Sequence, residues 1–166
     1  MTDSSSELRQ LRPGLWETVN ERYPGSMITK TEVVPLAPLR VNLERANLAF
    51  VSSAGVQPKG TVPFDVVHPV GDYSYRLVPS ASSVEELEIH QLKYPTDGAS
   101  QDLNVIFPIE RLQELARESV IGGLTENFFS FIGYNMDPER FERTLAEDLA
   151  AAVERERPDA VLLAPA

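Results

Sequence analysis

The second half of the chain alternates between helical and extended patterns, and that alternation restricts the fold more than any other feature. Residues 108–119 open on Pro108 and place Leu112, Leu115 and Ala116 on one face, with charges opposite. Proline suits the first turn of a helix, where its missing N–H leaves nothing unpaired. Gly122-Gly123 interrupts the pattern, and residues 124–132 follow as a strand that stops at Gly133. Asp137 then caps a second helix from about Pro138, whose apolar stripe is Phe141, Leu145, Leu149, Ala152 and Val153. Pro158 ends that helix, and Ala160-Val161-Leu162-Leu163 reads as an interior strand of a parallel sheet. Helix, strand, helix, strand is the order of right-handed crossovers. We therefore expect an α/β fold in three layers: a mainly parallel sheet with helices on both faces.

The first half is less regular. Residues 1–8 are polar and serine-rich, as frayed ends often are. Pro13, Pro24, Pro35 and Pro38 punctuate the stretch that follows, and residues 16–22 read as a short helix. The expectation is an extended N-terminal arm over residues 1–45, anchored by Trp16 and Tyr23 on a domain of residues 46–166. Asn47-Leu48-Ala49-Phe50-Val51 reads as a buried strand that breaks at Ser52-Ser53-Ala54-Gly55. Residues 56–72 read as irregular. Residues 73–78 alternate like a strand up to Pro79, as do residues 87–92, with Leu87, Ile89 and Gln91 on one face. Thr96-Asp97-Gly98 is turn chemistry.

Composition excludes several classes. The 166 residues, 42% hydrophobic and 24% charged, suit one ordinary globular domain. A net charge of -10 repels nucleic acid and anionic membranes. With no cysteine, these residues form no disulfide and no thiolate metal site. His68 and His90 lack the i, i+4 spacing of a helical zinc pair. Phosphate-loop, dinucleotide and metal motifs are absent, so no metal is expected. Met1-Thr2-Asp3-Ser4-Ser5-Ser6-Glu7 has neither a basic nor an apolar region, and no stretch approaches the roughly 18 apolar residues of a membrane span. A cytoplasmic protein is the expectation.

Three loops should meet at the carboxyl edge of the sheet, where open α/β sheets bind ligands. They are Ser52-Ser53-Ala54-Gly55, Ser130-Phe131-Ile132-Gly133 and Ala164-Pro165-Ala166. Small residues there either let a ligand approach backbone amides or simply make tight turns. Ser52 and Ser53 lack Gly-x-Ser-x-Gly flanks and do not read as nucleophiles. Asp72, Ser74 and Arg76 share one face at period 2. Asp72 and Arg76 there either orient a zwitterionic or carboxylate substrate or pair with each other. His90 is a candidate acid/base group or a structural histidine. Asp102 and Asn104 either shape a loop or touch a ligand.

Taken in order, several blocks resemble a known family. They are Val51-Ser52-Ser53-Ala54-Gly55-Val56, Gly71-Asp72-Tyr73-Ser74-Tyr75-Arg76-Leu77-Val78-Pro79 and residues 102–115, from Asp102-Leu103-Asn104 to Leu115. Ile121-Gly122-Gly123, Ser130-Phe131-Ile132-Gly133-Tyr134 and Asp159-Ala160-Val161-Leu162-Leu163 follow. This resembles the selenoprotein B family of the glycine, sarcosine, betaine and D-proline reductases, from about Ala46 onward. The family's histidine, two residues, then Tyr-Asp stands here as His90-Gln91-Leu92-Lys93-Tyr94-Pro95, so the resemblance assigns His90 no role.

The resemblance implies a component of a thiol- or selenol-dependent oxidoreductase that reductively cleaves a C–N bond of a small amino acid or amine. It implies selenocysteine or cysteine just after the strand equivalent to residues 160–164, with a resolving cysteine three positions on. At a strand end facing a helix N-terminus such a group is held as an anion. It also implies partner reductase subunits, one of which can carry a pyruvoyl group; a homo-oligomer is a further option. Selenocysteine is encoded by UGA, otherwise a stop codon. The expectation is therefore a chain truncated at an in-frame UGA, inactive alone, with no catalytic residue or cofactor among its 166 residues. Expected substrate contacts are Ser52, Ser53 and Gly55 as donors, Asp72 and Arg76 for orientation, and Asp102 and Asn104 beside them. The alternative is a non-catalytic small-molecule-binding or scaffold module of the same fold, working through a partner.

Overall fold

A computed structural model of the chain describes residues 21–22, 37–92 and 95–166. The anchors Trp16 and Tyr23, and most of the expected arm, lie outside those residues. The unit described here falls within residues 36–166.

The central strand is β1, Asn47–Ser52, buried at every position from Leu48 onward. Continuous burial means that both sheet faces are covered. Leu48 and Phe50 join one core with Val78, Phe107, Phe128 and Ile121. Val51 joins a second, on the opposite face, with Phe129 and Ala152. The first core is roofed by Ile109 and Leu112 of α2, Ile109–Arg117. The second is roofed by Leu149, Ala152 and Val153 of α3, residues 138–155. Helices thus lie on both faces, as the sequence implies. Within the first core, Phe50 meets Phe107 edge-on at 5.0 Å and Phe128 at 5.6 Å, a favoured aromatic geometry.

Three strands run parallel to β1. β7, Ala160–Ala164, pairs with one side of β1 from Leu48↔Ala160 to Ser52↔Ala164. The other side of β1 takes β5, Gly123–Leu124, and then β6, Asn127–Phe131. The one strand expected over residues 124–132 is therefore split. Thr125 turns its N–H onto Leu48 O at 3.0 Å, and Glu156 from the end of α3 accepts from Glu126 N at 3.0 Å and Asn127 Nδ2 at 2.8 Å. On the far side of β6, β3 (Tyr75–Pro79) runs antiparallel, from Tyr75↔Phe131 to Pro79↔Asn127.

Other departures from the sequence reading have local causes. Residues 56–72 are not wholly irregular: β2, Val56–Pro58, pairs antiparallel with β4, Leu87–Ile89, as a separate ribbon. The turn at residues 96–98 instead opens α1, Asp97–Gln101. Asp137 does cap α3, its Oδ1 accepting from Arg140 N at 3.0 Å, but Phe141–Ala146 is wound as a π-helix. The largest correction concerns β7. It is an edge strand rather than an interior one: its outer side has no strand partner among the described residues. Leu163 is accordingly 70% exposed and Val161 43%. Among the described residues no helix is long and apolar enough to cross a membrane.

Candidate functional site

The parallel strands β1, β6 and β7 end at one edge, and antiparallel β3 begins there. Ser53 sits at their meeting point. Its N–H donates to Ala164 O at 3.4 Å, its carbonyl accepts from Gly133 N at 3.2 Å, and its hydroxyl accepts from Ala166 N at 3.0 Å. Ser52 is buried and turned inward: its hydroxyl accepts from Ala54 N at 3.2 Å and donates to Ile106 O at 3.4 Å. Gly55 N donates to Phe131 O at 2.9 Å, and Gly55 O accepts from His90 N at 2.8 Å. Gly55 also has φ +66°, and a Cβ there would stand 2.5 Å from His90 O. The donors expected of Ser52 and Gly55 are thus committed within the fold. Beside Ser53, on the α3 face, an apolar groove of about 230 Å³ is lined by Val51, Phe131, Leu163 and Pro165.

Asp72 and Arg76 reach the same edge beyond β6, and Ser74 joins them instead of a direct ion pair. Asp72 accepts from Asp65 N at 2.7 Å, from Ser74 N at 2.8 Å and from the Ser74 hydroxyl. Arg76 donates to Ser74 Oγ at 2.8 Å, to Val62 O at 2.9 Å and to Pro63 O at 3.2 Å, and lies 4.2 Å from the centre of the Phe64 ring. Both side chains therefore fasten the loop between β2 and β3. That loop is stitched to the exit of β6 by a Gly71↔Asn135 bridge and by Met136 N to Val70 O at 3.0 Å. It forms a wall of the edge.

Asp102 and Asn104 belong to a different feature, an acidic cleft of about 570 Å³ lined also by Glu85, Glu88, Gln91 and Glu110. Asp102 accepts from both the backbone and the side-chain nitrogen of Asn104 at 3.0 Å. Those hydrogen bonds stabilise the carboxylate and hold its pKa below the ordinary range. Asn104 in turn ties this loop to the start of α2, donating to Glu110 Oε2 at 2.7 Å and accepting from Glu110 N at 3.1 Å. His90 pairs with Glu88 at 3.1 Å. Of the expected contacts, then, Ser53 borders the apolar groove, Ser52 and Gly55 do not line it, Asp72 and Arg76 fasten the wall, and Asp102 and Asn104 line the cleft. Among the described residues no group of three or more His, Asp or Glu could hold a metal ion. Sequence reasoning missed Glu88 and Glu110. The available signal was weak: Glu110 is an acidic residue in the first turn of α2, a favourable place near any helix start.

An α/β sheet with small residues gathered at its carboxyl edge defines the class, and sequence comparison supplies the family. The chain belongs to the glycine/sarcosine/betaine reductase selenoprotein B family, whose profile matches residues 19–166. It is 30% identical over 126 residues to the D-proline reductase subunit gamma of Acetoanaerobium sticklandii, covering 76% of this chain and 51% of that protein. It is 29% identical over 125 residues to the glycine reductase complex component B subunit gamma of Carboxydothermus hydrogenoformans, covering 72% of this chain and 28% of that protein. The corresponding subunit of Symbiobacterium thermophilum is 27% identical over 150 residues, 89% of this chain and 34% of that one. The chain thus spans about half of the first relative and about a third of the others. No solved structure matches.

Proposed function

We propose that this chain is a component of a thiol- or selenol-dependent reductase that cleaves the C–N bond of a small amino acid or amine. The observation that carries the reading is the family match over residues 19–166, set beside a carboxyl edge where Ser53 gathers the ends of β1, β6 and β7. The 166 residues include no cysteine, so the thiol or selenol comes from outside them. When present, that group supplies a low-pKa nucleophile and a site for one half of a selenenylsulfide or disulfide. In the overall reaction the C–N bond takes up two electrons and protons, the amine leaves, and a dithiol is oxidised to the disulfide level. This chain's residues shape the place: the loop fixed by Asp72 and Arg76 walls it, and Val51, Phe131 and Leu163 keep the adjoining groove apolar. Partner subunits of the same complex, one with a pyruvoyl group, complete the assembly. A thiol reductase belongs in a reducing compartment, so we place it in the cytoplasm.

Reconstitution tests the reading. The chain carrying the redox residue, mixed with partner subunits and a dithiol, should oxidise the dithiol only when glycine, sarcosine, betaine or D-proline is added. Turnover by the 166 residues alone would overturn the assignment of the redox group to chain outside them. The missing thiol also favours a second reading, a binding module that works through its partner. Its mark is a substrate-induced rise in Tm with no dithiol oxidation in the complete mixture.

A further inference from the structure

We infer that Ser53 is a positioning residue whose hydroxyl clamps the backbone N–H of Ala166 and so fixes the path of the chain as it leaves β7. The contact stands on geometry; its purpose rests on the proposed function. β7 pairs with β1 as far as Ser52↔Ala164. Pro165 has no N–H, so the next backbone donor after the ladder is Ala166 N. Ser53 Oγ receives it at 3.0 Å, while Ser53 N holds Ala164 O at 3.4 Å. One residue thus grips the chain on both sides of a proline whose φ is already fixed.

The grip is itself constrained. Gly133 N donates to Ser53 O at 3.2 Å. A Cβ on Gly133 would lie 3.1 Å from Ser53 Cβ and 3.2 Å from Ser53 Oγ, so glycine leaves the hydroxyl its room. The neighbouring Ser52 hydroxyl cannot substitute, because it is buried against Ala54 N and Ile106 O. Under the proposed function, a redox group held at this exit keeps a set distance from the ends of β1 and β6. Orientation of that kind lowers the entropic cost of reaction.

The experiment is residue-resolved amide exchange on the full chain, comparing Ser53→Ala, Ser53→Thr and Gly133→Ala with the parent. Loss of one hydrogen bond should speed Ala166 exchange by about fivefold in Ser53→Ala, with β1 amides unchanged. Ser53→Thr, which keeps the hydroxyl, should restore the parent rate. Gly133→Ala should accelerate Ala166 while leaving the hydroxyl in place. Equal Ala166 rates in the parent and Ser53→Ala, or failure of Ser53→Thr to restore protection, overturns the inference. In the reconstituted reductase, Ser53→Ala should lower kcat by about tenfold with KM unchanged. If the parent complex shows no reductase activity while the exchange pattern holds, the functional reading fails and the clamp stands.

Discussion

Asn47 and Asp159 exchange two hydrogen bonds where β1 and β7 begin: Asn47 N donates to Asp159 Oδ2 at 2.9 Å, and Asp159 N donates to Asn47 O at 2.8 Å. The pair sets the register of the β1–β7 ladder from its first rung. Asp159→Ala should cost about 1 kcal/mol, the usual net value of one such bond. Asp159→Asn keeps an acceptor oxygen and should cost less. Urea unfolding of the two variants measures the difference; no loss in Asp159→Ala would remove the side chain from the account.

Phe50 is the hinge of the aromatic cluster, touching both Phe107 and Phe128 edge-on. Phe50→Ala leaves a cavity between β1 and the entry to α2, and should destabilise the fold by about 3–5 kcal/mol. Phe50→Leu should cost markedly less. Denaturant midpoints at constant m-value provide the check.

The Asn104 hydrogen bonds depress the pKa of Asp102 below its ordinary value of 3.8. A lowered folded-state pKa contributes stability that is complete above the ordinary value and is lost as pH falls through the folded value. Asn104→Ala removes the side-chain bond and keeps the backbone one, so it should raise the Asp102 pKa part of the way and remove that part of the contribution, while the lost bonds to Glu110 cost stability at every pH. Carboxyl-carbon NMR titration of Asp102 in both proteins reads the shift directly. An unmoved midpoint would mean that the Asn104 side chain is not its cause.

Arg76 serves the loop through a planar fork and a stacked ring, so charge alone should not replace it. Arg76→Lys should raise exchange at Phe64 and Asp65 by about as much as Arg76→Ala does. If Arg76→Lys keeps the loop protected, the guanidinium is free for another task, and substrate contact returns as its role.

The legible parts of the fold are those set by local pattern. The apolar stripe of Leu145, Leu149, Ala152 and Val153 and the Asp137 cap announce α3 without any tertiary knowledge. The run from Leu48 to Val51 announces a strand with two covered faces. What escapes is set by neighbours. Ala160-Val161-Leu162-Leu163 has the composition of an interior strand, yet only the count of strands beside it decides whether it is one. The break at Thr125 depends on Leu48 O and Glu156, which are distant in sequence. The same holds at the site. Asp72, Ser74 and Arg76 do share a face, but the partners that claim them are the backbone of residues 62–65, whose course no period reveals.

The placement of β1 has a consequence for how the chain acquires its structure. One of its flanking strands, β7, lies far along the chain, with a separation of 112 residues at the Asn47–Asp159 pair. The ladder at the heart of the sheet therefore cannot close until residues 160–164 have emerged from the ribosome. Until then Phe50 and its neighbours have a cover on one flank at most. Long-range parallel pairing of this kind folds slowly, and the waiting strand is a target for chaperones and for other nascent chains.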